Sequence, residues 1–141
     1  MWAGGKSSGG VVNRVSKTAD TVQRSGEFDA SVDTFGAFAL LADVNQPLSD
    51  GVGFRLNATY EEFDSNRDFY EGRVIGISPT VGVELGPDTR LDLSYTYDDD
   101  RRTTDRGVPS FQGGPLTGYY DTFFGDPAFN TNSIEAHIGR A

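Results

Sequence analysis

Along this chain apolar and polar residues trade places at every second position, segment after segment, and no other feature narrows its possible folds so far. A period of two belongs to a pleated strand with two unlike faces. In "GEFDASVDT" Phe28, Ala30 and Val32 share one face, and Glu27, Asp29, Ser31 and Asp33 the other. "FALLADVN" aligns Phe38, Leu40, Ala42 and Val44, although Leu41 on the opposite side blurs the pattern. "GFRLNATYEE" sets Phe54, Leu56, Ala58 and Tyr60 against Arg55, Asn57, Thr59 and Glu61. In "GRVIGISPTVGVEL" Ile75, Ile77, Val81, Val83 and Leu85 form the apolar face. Arg73, Gly76, Ser78, Thr80 and Glu84 fall opposite or at small positions of the pleat. Pro79 lacks a ladder donor and predicts a bulge or local break. "RLDLSYTYD" opposes Leu91, Leu93, Tyr95 and Tyr97 to Arg90, Asp92, Ser94, Thr96 and Asp98. "SIEAHIGRA" opposes Ile134, Ala136 and Ile138 to Ser133, Glu135, His137 and Gly139. The reading is all-β: an antiparallel up-and-down meander of about six strands.

The connections alternate in length. "QPLSDGV" and "GPDT" are tight and rich in turn residues, whereas "FDSNRDFYEG" and the run from about Asp99 to Asn132 are long. Short turns at one end and long loops at the other are the asymmetry of a transmembrane β-barrel. The segments run to about 9 to 14 residues, nearer the 9 to 11 of a tilted membrane strand than the 5 to 6 of a soluble one. A face of Glu, Asp, Arg and Asn suits a wet lumen, and an apolar face with Tyr60, Tyr95 and Tyr97 near strand ends suits lipid with an aromatic girdle. A soluble sandwich would alternate in the same way.

Composition narrows the function. Hydrophobic residues make up 36% of the 141, with 18 Gly, one Met, one His and no Cys, which points to strands and loops without long packed helices. Absence of cysteine removes disulfide frameworks and thiolate zinc sites. A net charge of −9 would repel phosphate backbones, so nucleic acid is not an expected partner. No window is long and apolar enough for a membrane-spanning helix, and the chain as written carries no secretory signal; neither observation bears on a β-barrel.

The glycine-rich start, "GGKSSGGVVNRVSK" from Gly4 to Lys17, imitates a phosphate loop only superficially. The first glycine of such a loop would precede Met1, and Val11, Val12 and Val15 favour a strand where a helix is required. "GKSSGGVVNRVSK" instead resembles the end of the plug domain of TonB-dependent outer-membrane receptors, particularly siderophore receptors. "GFRLNATYEEFDSNRDF" is similar to their third barrel strand and its loop, "LDLSYTYDDDRRTTDRGVPS" to the fifth strand and its continuation, and "PLTGYYDTFFGDP" to the segment before the sixth.

The resemblance implies a piece of a 22-stranded plugged barrel that takes up ferric siderophores with energy from the TonB complex. Residues 1–24 would be the end of the plug and its linker, and residues 25–141 the first barrel strands, in contact with outer-membrane lipid. Much of such a receptor is absent from the sequence, and six strands leave two unpaired edges, so the chain alone is expected neither to insert nor to transport. No cofactor is implied. The competing reading is a small soluble, acidic, β-rich binding or structural module.

Candidate sites follow from both readings. Tyr119, Tyr120, Phe123 and Phe124 lie in the long loop, and the resemblance implies aromatic rings stacking on a siderophore; packing of the loop on itself is the alternative. Arg14, in the plug strand, would pair with a lumen carboxylate or stay exposed. Asp98, Asp99 and Asp100 lack the spacing of a calcium loop and, beside Arg101, Arg102 and Arg106, read as a solvated rim. His137, the only histidine, is expected to be an ordinary lumen residue. With no second histidine or convergent catalytic set, an enzyme is not expected.

Overall fold

The structure is a computed structural model, and it describes residues 16–141. The candidate plug strand with Arg14 lies outside those residues. Five strands follow one another: β1 Ser25–Val32, β2 Phe38–Ser49, β3 Val52–Asp64, β4 Glu71–Gly86 and β5 Thr89–Thr103. A small hairpin, β6 Ser110–Phe111 and β7 Gly114–Pro115, interrupts the long loop before β8 Thr131–Arg140 returns beside β5. The six long strands make one antiparallel sheet in the order β1-β2-β3-β4-β5-β8, open at β1 and β8. The expected six-strand meander is present and unclosed.

Two residues suffice to turn the chain at one end. Asp50 and Gly51 join β2 to β3, with Gly51 at φ 72°, and Pro87 and Asp88 join β4 to β5. At the other end residues 33–37, 65–70 and 104–130 make the connections. We call these the turn end and the loop end.

Paired residues in an antiparallel ladder point to the same side, so the register fixes the faces. One row runs Ala42, Ala58, Ile77, Tyr97, and the next Leu40, Tyr60, Ile75. The other face carries Asp43 with Asn57, Asn45 with Arg55, and Gly82 with Asp92. Arg73 pairs with Glu62 and shares the apolar face with Ile75, whereas the sequence reading set it among the opposing residues. At Pro79 the ladder to β3 continues and that to β5 lapses across Ser78 and Pro79 without a register shift. Ser78 and Thr96 bridge the gap through their hydroxyls at 3.1 Å.

Strand β8 departs from expectation. His137 pairs with Tyr97 and Glu135 with Asp99, so Ile134, Ala136 and Ile138 stand on the polar face with Asp100, Asp98 and Thr96. A one-residue change of register exchanges the two faces of a strand, and the long loop before β8 leaves its register unconstrained by any tight turn. His137, expected in the lumen, belongs to the opposite face.

The sheet is a single layer. Among the described residues Ala19 is the only buried hydrophobic one, while Phe28, Val32 and Leu93 expose 69%, 79% and 46% of their surface. A sandwich needs a second sheet about 10 Å away to cover such a face, and the described residues supply none.

Candidate functional site

The polar face at the turn end holds the segment that precedes β1. Asn45, 1% exposed, uses its whole amide on that segment: Oδ1 accepts from Asp20 N at 2.8 Å, and Nδ2 donates to Asp20 O at 3.0 Å and Gln23 O at 2.7 Å. Arg55 forks onto Asp43, Nε to Oδ1 at 2.8 Å and Nη2 to Oδ2 at 2.7 Å, and its Nη1 reaches Thr18 O at 3.2 Å. Lys17 shares Asp43 at 2.5 Å. Arg90, braced by Asp92, donates to Ala19 O, and the Thr21 hydroxyl bonds Glu84. Arg140 of β8 donates to Ser16 Oγ at 2.9 Å.

Two glycines make room for this contact. A Cβ on Gly53 would lie 2.5 Å from Asp20 O, and one on Gly82 would lie 3.2 Å from Ala19 O. The segment carries its own turn, since Asp20 Oδ1 accepts from Val22 N at 2.8 Å and Gln23 N at 2.9 Å. Those two amides, Gln23 first, hold the Asp20 carboxyl below its ordinary value, and Arg90 and Arg55 add to the effect. Residues 17–23 are thus bound to the sheet through the backbone at Thr18, Ala19, Asp20 and Gln23 and through the side chains of Lys17 and Thr21. Alternation assigns Asn45, Arg55 and Arg90 to the polar face but says nothing of what they hold. The available signal was Gly53 and Gly82, small residues on that face next to long polar ones.

The loop end gathers the predicted aromatic residues around one arginine. Arg67, between β3 and β4, donates to Tyr120 O at 2.9 Å and Thr122 O at 3.1 Å and pairs with Asp105. Asp68 N also donates to Asp121 O at 2.9 Å. Tyr119 and Phe124 meet edge to face at 6.2 Å, and Phe123 packs on Phe69 at 6.0 Å. Tyr120 joins no such pair and exposes 57% of its surface, and Tyr119 exposes 49%. Three of the four rings therefore pack within the loop or against the β3–β4 connection, and Tyr119 and Tyr120 are exposed.

Below them, on the polar face, lies a group the sequence reading missed. Phe63 and Tyr70 stand 5.9 Å apart, and the Arg102 guanidinium sits 5.1 Å over the Phe63 ring while paired with Asp100. Phe63 covers Gly72, where a Cβ would meet its ring at 2.4 Å. Phe63, Gly72 and Arg102 line a cleft with Thr103 and Asn132. Asp98 and Asp100 face this side and Asp99 the other, so the three carboxylates cannot converge on one ion.

An open antiparallel meander, apolar and aromatic on one face and polar on the other, with the preceding segment tied to the polar face, has the form of a partial, unclosed β-barrel. Sequence comparison gives that class a family likeness, to the TonB-dependent receptors. The metal-pseudopaline receptor CntO of Pseudomonas aeruginosa is 29% identical over 123 residues, 84% of this chain and 17% of its own. The probable TonB-dependent siderophore receptor PiuA of Acinetobacter baumannii is 27% identical over 146 aligned positions, 96% of this chain and 19% of its own. The chain thus spans less than a fifth of the length of these relatives. No protein-family model matches it, and no solved structure does.

Proposed function

We propose that this chain is the plug exit and first wall section of a TonB-dependent outer-membrane receptor for a ferric siderophore. Residues 1–24 are the end of the plug and its linker, and residues 25–141 the first barrel strands. The observation that carries this reading is the seven-residue stretch 17–23 hydrogen-bonded to the polar face of a sheet whose other face is apolar and exposed. Such a wall needs lipid on one side and a filled lumen on the other. The loop end then faces outward, and the turn end the periplasm. Uptake belongs to the complete receptor and its TonB complex.

On this reading Tyr119 and Tyr120, the exposed members of the predicted set, touch cargo, and Phe123 and Phe124 support them. The relatives' names span a siderophore and a metal-pseudopaline complex, so the cargo class is a metal held in an organic chelator. Arg14 pairs with a lumen carboxylate on this reading.

The test is radio-iron uptake by iron-starved cells carrying the complete receptor, against cells with Tyr119→Ala and Tyr120→Ala together. Loss of most uptake at limiting ferric siderophore, restored at high concentration, is expected. Uptake unaffected at every concentration would remove these rings from the site. The 141-residue chain alone, refolded with lipid vesicles, should not insert as a stable monomer; if it does, the section-of-wall reading fails.

A further inference from the structure

The apolar outward face does not end along a ladder row. Its last apolar residue toward the loop end is Phe38 on β2, Tyr60 on β3, Ile75 on β4 and Tyr97 on β5, and the next outward residues on the last three are Glu62, Arg73 and Asp99. On β8 both Glu135 and His137 face outward. The row through Phe38 passes Glu62 and Arg73 to Arg101, so Tyr97 stands four residues below it after three strand spacings. That is a fall of about 13 Å along the strand over about 14 Å across the sheet, a slope of about 43°. Strands of outer-membrane barrels tilt by about 35 to 45°, so a level membrane boundary crosses the rows at this angle. The apolar span from Ile75 to Leu85 is about 34 Å along the strand, about 26 Å in height at such a tilt, against an apolar band of about 25 Å.

Three side chains mark the far side of that boundary. Asp99, 5% exposed, lies between Arg101, at 2.9 Å, and Arg73, at 3.9 Å. Both guanidiniums are open to the outside, 58% and 42% exposed, and the triad keeps a net positive charge. The neighbouring acids are engaged, Glu62 by the Tyr60 hydroxyl and Glu135 by His137 at 3.0 Å. The Tyr95 hydroxyl also reaches up to His137, at 2.5 Å. Apolar rings below with hydroxyls turned toward a charged rim is how tyrosine sits at a membrane interface.

We infer that Arg73 and Arg101, steadied by Asp99, contact the phosphate groups of outer-leaflet lipid headgroups along a boundary that crosses the sheet diagonally. This rests on the outer-membrane reading above. Guanidinium forks match phosphate oxygens, and a carboxylate beneath them fixes their spacing. The diagonal also accounts for β8: His137 occupies the row of Ala42 and Ala58 yet stands at headgroup level.

Two measurements on the complete protein in its native membrane and in detergent test this. The chain contains no cysteine, so Ala42→Cys and His137→Cys introduce single thiols in one ladder row, with background read from the parent. A membrane-impermeant maleimide applied to cells should label His137→Cys at least tenfold faster than Ala42→Cys. Equally slow labelling overturns the diagonal boundary and leaves the membrane reading standing. Equally fast labelling shows a wet outer face and removes both. In native mass spectrometry the parent and the Glu135→Gln variant should retain diphosphorylated lipid A at least fivefold more than its dephosphorylated form. The folded Arg73→Gln, Arg101→Gln double variant should lose that preference. No preference in the parent, or an undiminished one in the double variant, overturns the phosphate contact.

Discussion

The two ends of the polar face hold chain segments by opposite designs. At the turn end several strand-borne groups share one segment: Asn45, Arg55, Arg90 and Glu84 each take a different point of residues 17–23. At the loop end one long side chain, Arg67, holds a large loop by two carbonyls and one carboxylate. The first arrangement distributes a fixed attachment over rigid strands. The second concentrates the side-chain hydrogen bonds on a connection that is itself a loop, beside the Asp68–Asp121 backbone bond and the Phe69–Phe123 ring contact.

The largest effect should come from Asn45→Leu. It removes three hydrogen bonds from a nearly sealed site and strands two carbonyls and an amide, about 2 to 4 kcal/mol of local stability. Amide exchange of Asp20 N–H should quicken by about thirtyfold to about a thousandfold while the strand ladders stay protected. If Asp20 exchanges no faster, the segment is held elsewhere and the contrast fails. Gly53→Ala probes the same contact by sterics: the added methyl would meet the Asp20 backbone, so it should loosen the segment without removing any donor.

Arg67→Met should rank next, at about 2 kcal/mol, since it leaves Asp105, a carboxylate 9% exposed, without its guanidinium. The prediction is local: residues 104–130 become sensitive to limited proteolysis and the strands do not. If the loop stays resistant, the ring contacts of Phe123 and Phe124 hold it, and the single-fastener description is wrong.

How much of this was readable beforehand divides along the same line. Strands β1 to β5 and most of their faces were legible because alternation runs through all five and tight turns fix the β2–β3 and β4–β5 registers, with Phe28, Ala42, Ala58 and Ile77 sharing a face and Arg73 the exception. The face of β8 was not, because alternation defines two faces without saying which is which, and the 104–130 loop transmits no register. Polar residues at the turn end were legible as a face and illegible as a clamp, since the partners of Asn45 and Arg90 lie 25 and 71 positions away. The four loop aromatics were found by type, but their division into supporting and exposed rings depends on where Arg67 puts their backbone.

The smallest expected effect concerns pH and sharpens the comparison at the turn end. The Asp20 carboxyl titrates below its ordinary value because Gln23 N and Val22 N donate to it, and Arg90 and Arg55 lie near. A group whose folded pKa is depressed adds stability that is fully present above the unfolded value, near 3.9, and fades as pH falls through the folded one. The turn over residues 20–23 should therefore persist at pH 4, with the Val22 and Gln23 amide resonances shifting only in more acidic solution. Asn45 carries no titratable group, so its bonds to Asp20 and Gln23 should outlast that shift. If amide protection of Asp20 collapses together with the turn, the segment depends on its own Asx turn more than on the wall, and the attachment is less distributed than the geometry indicates.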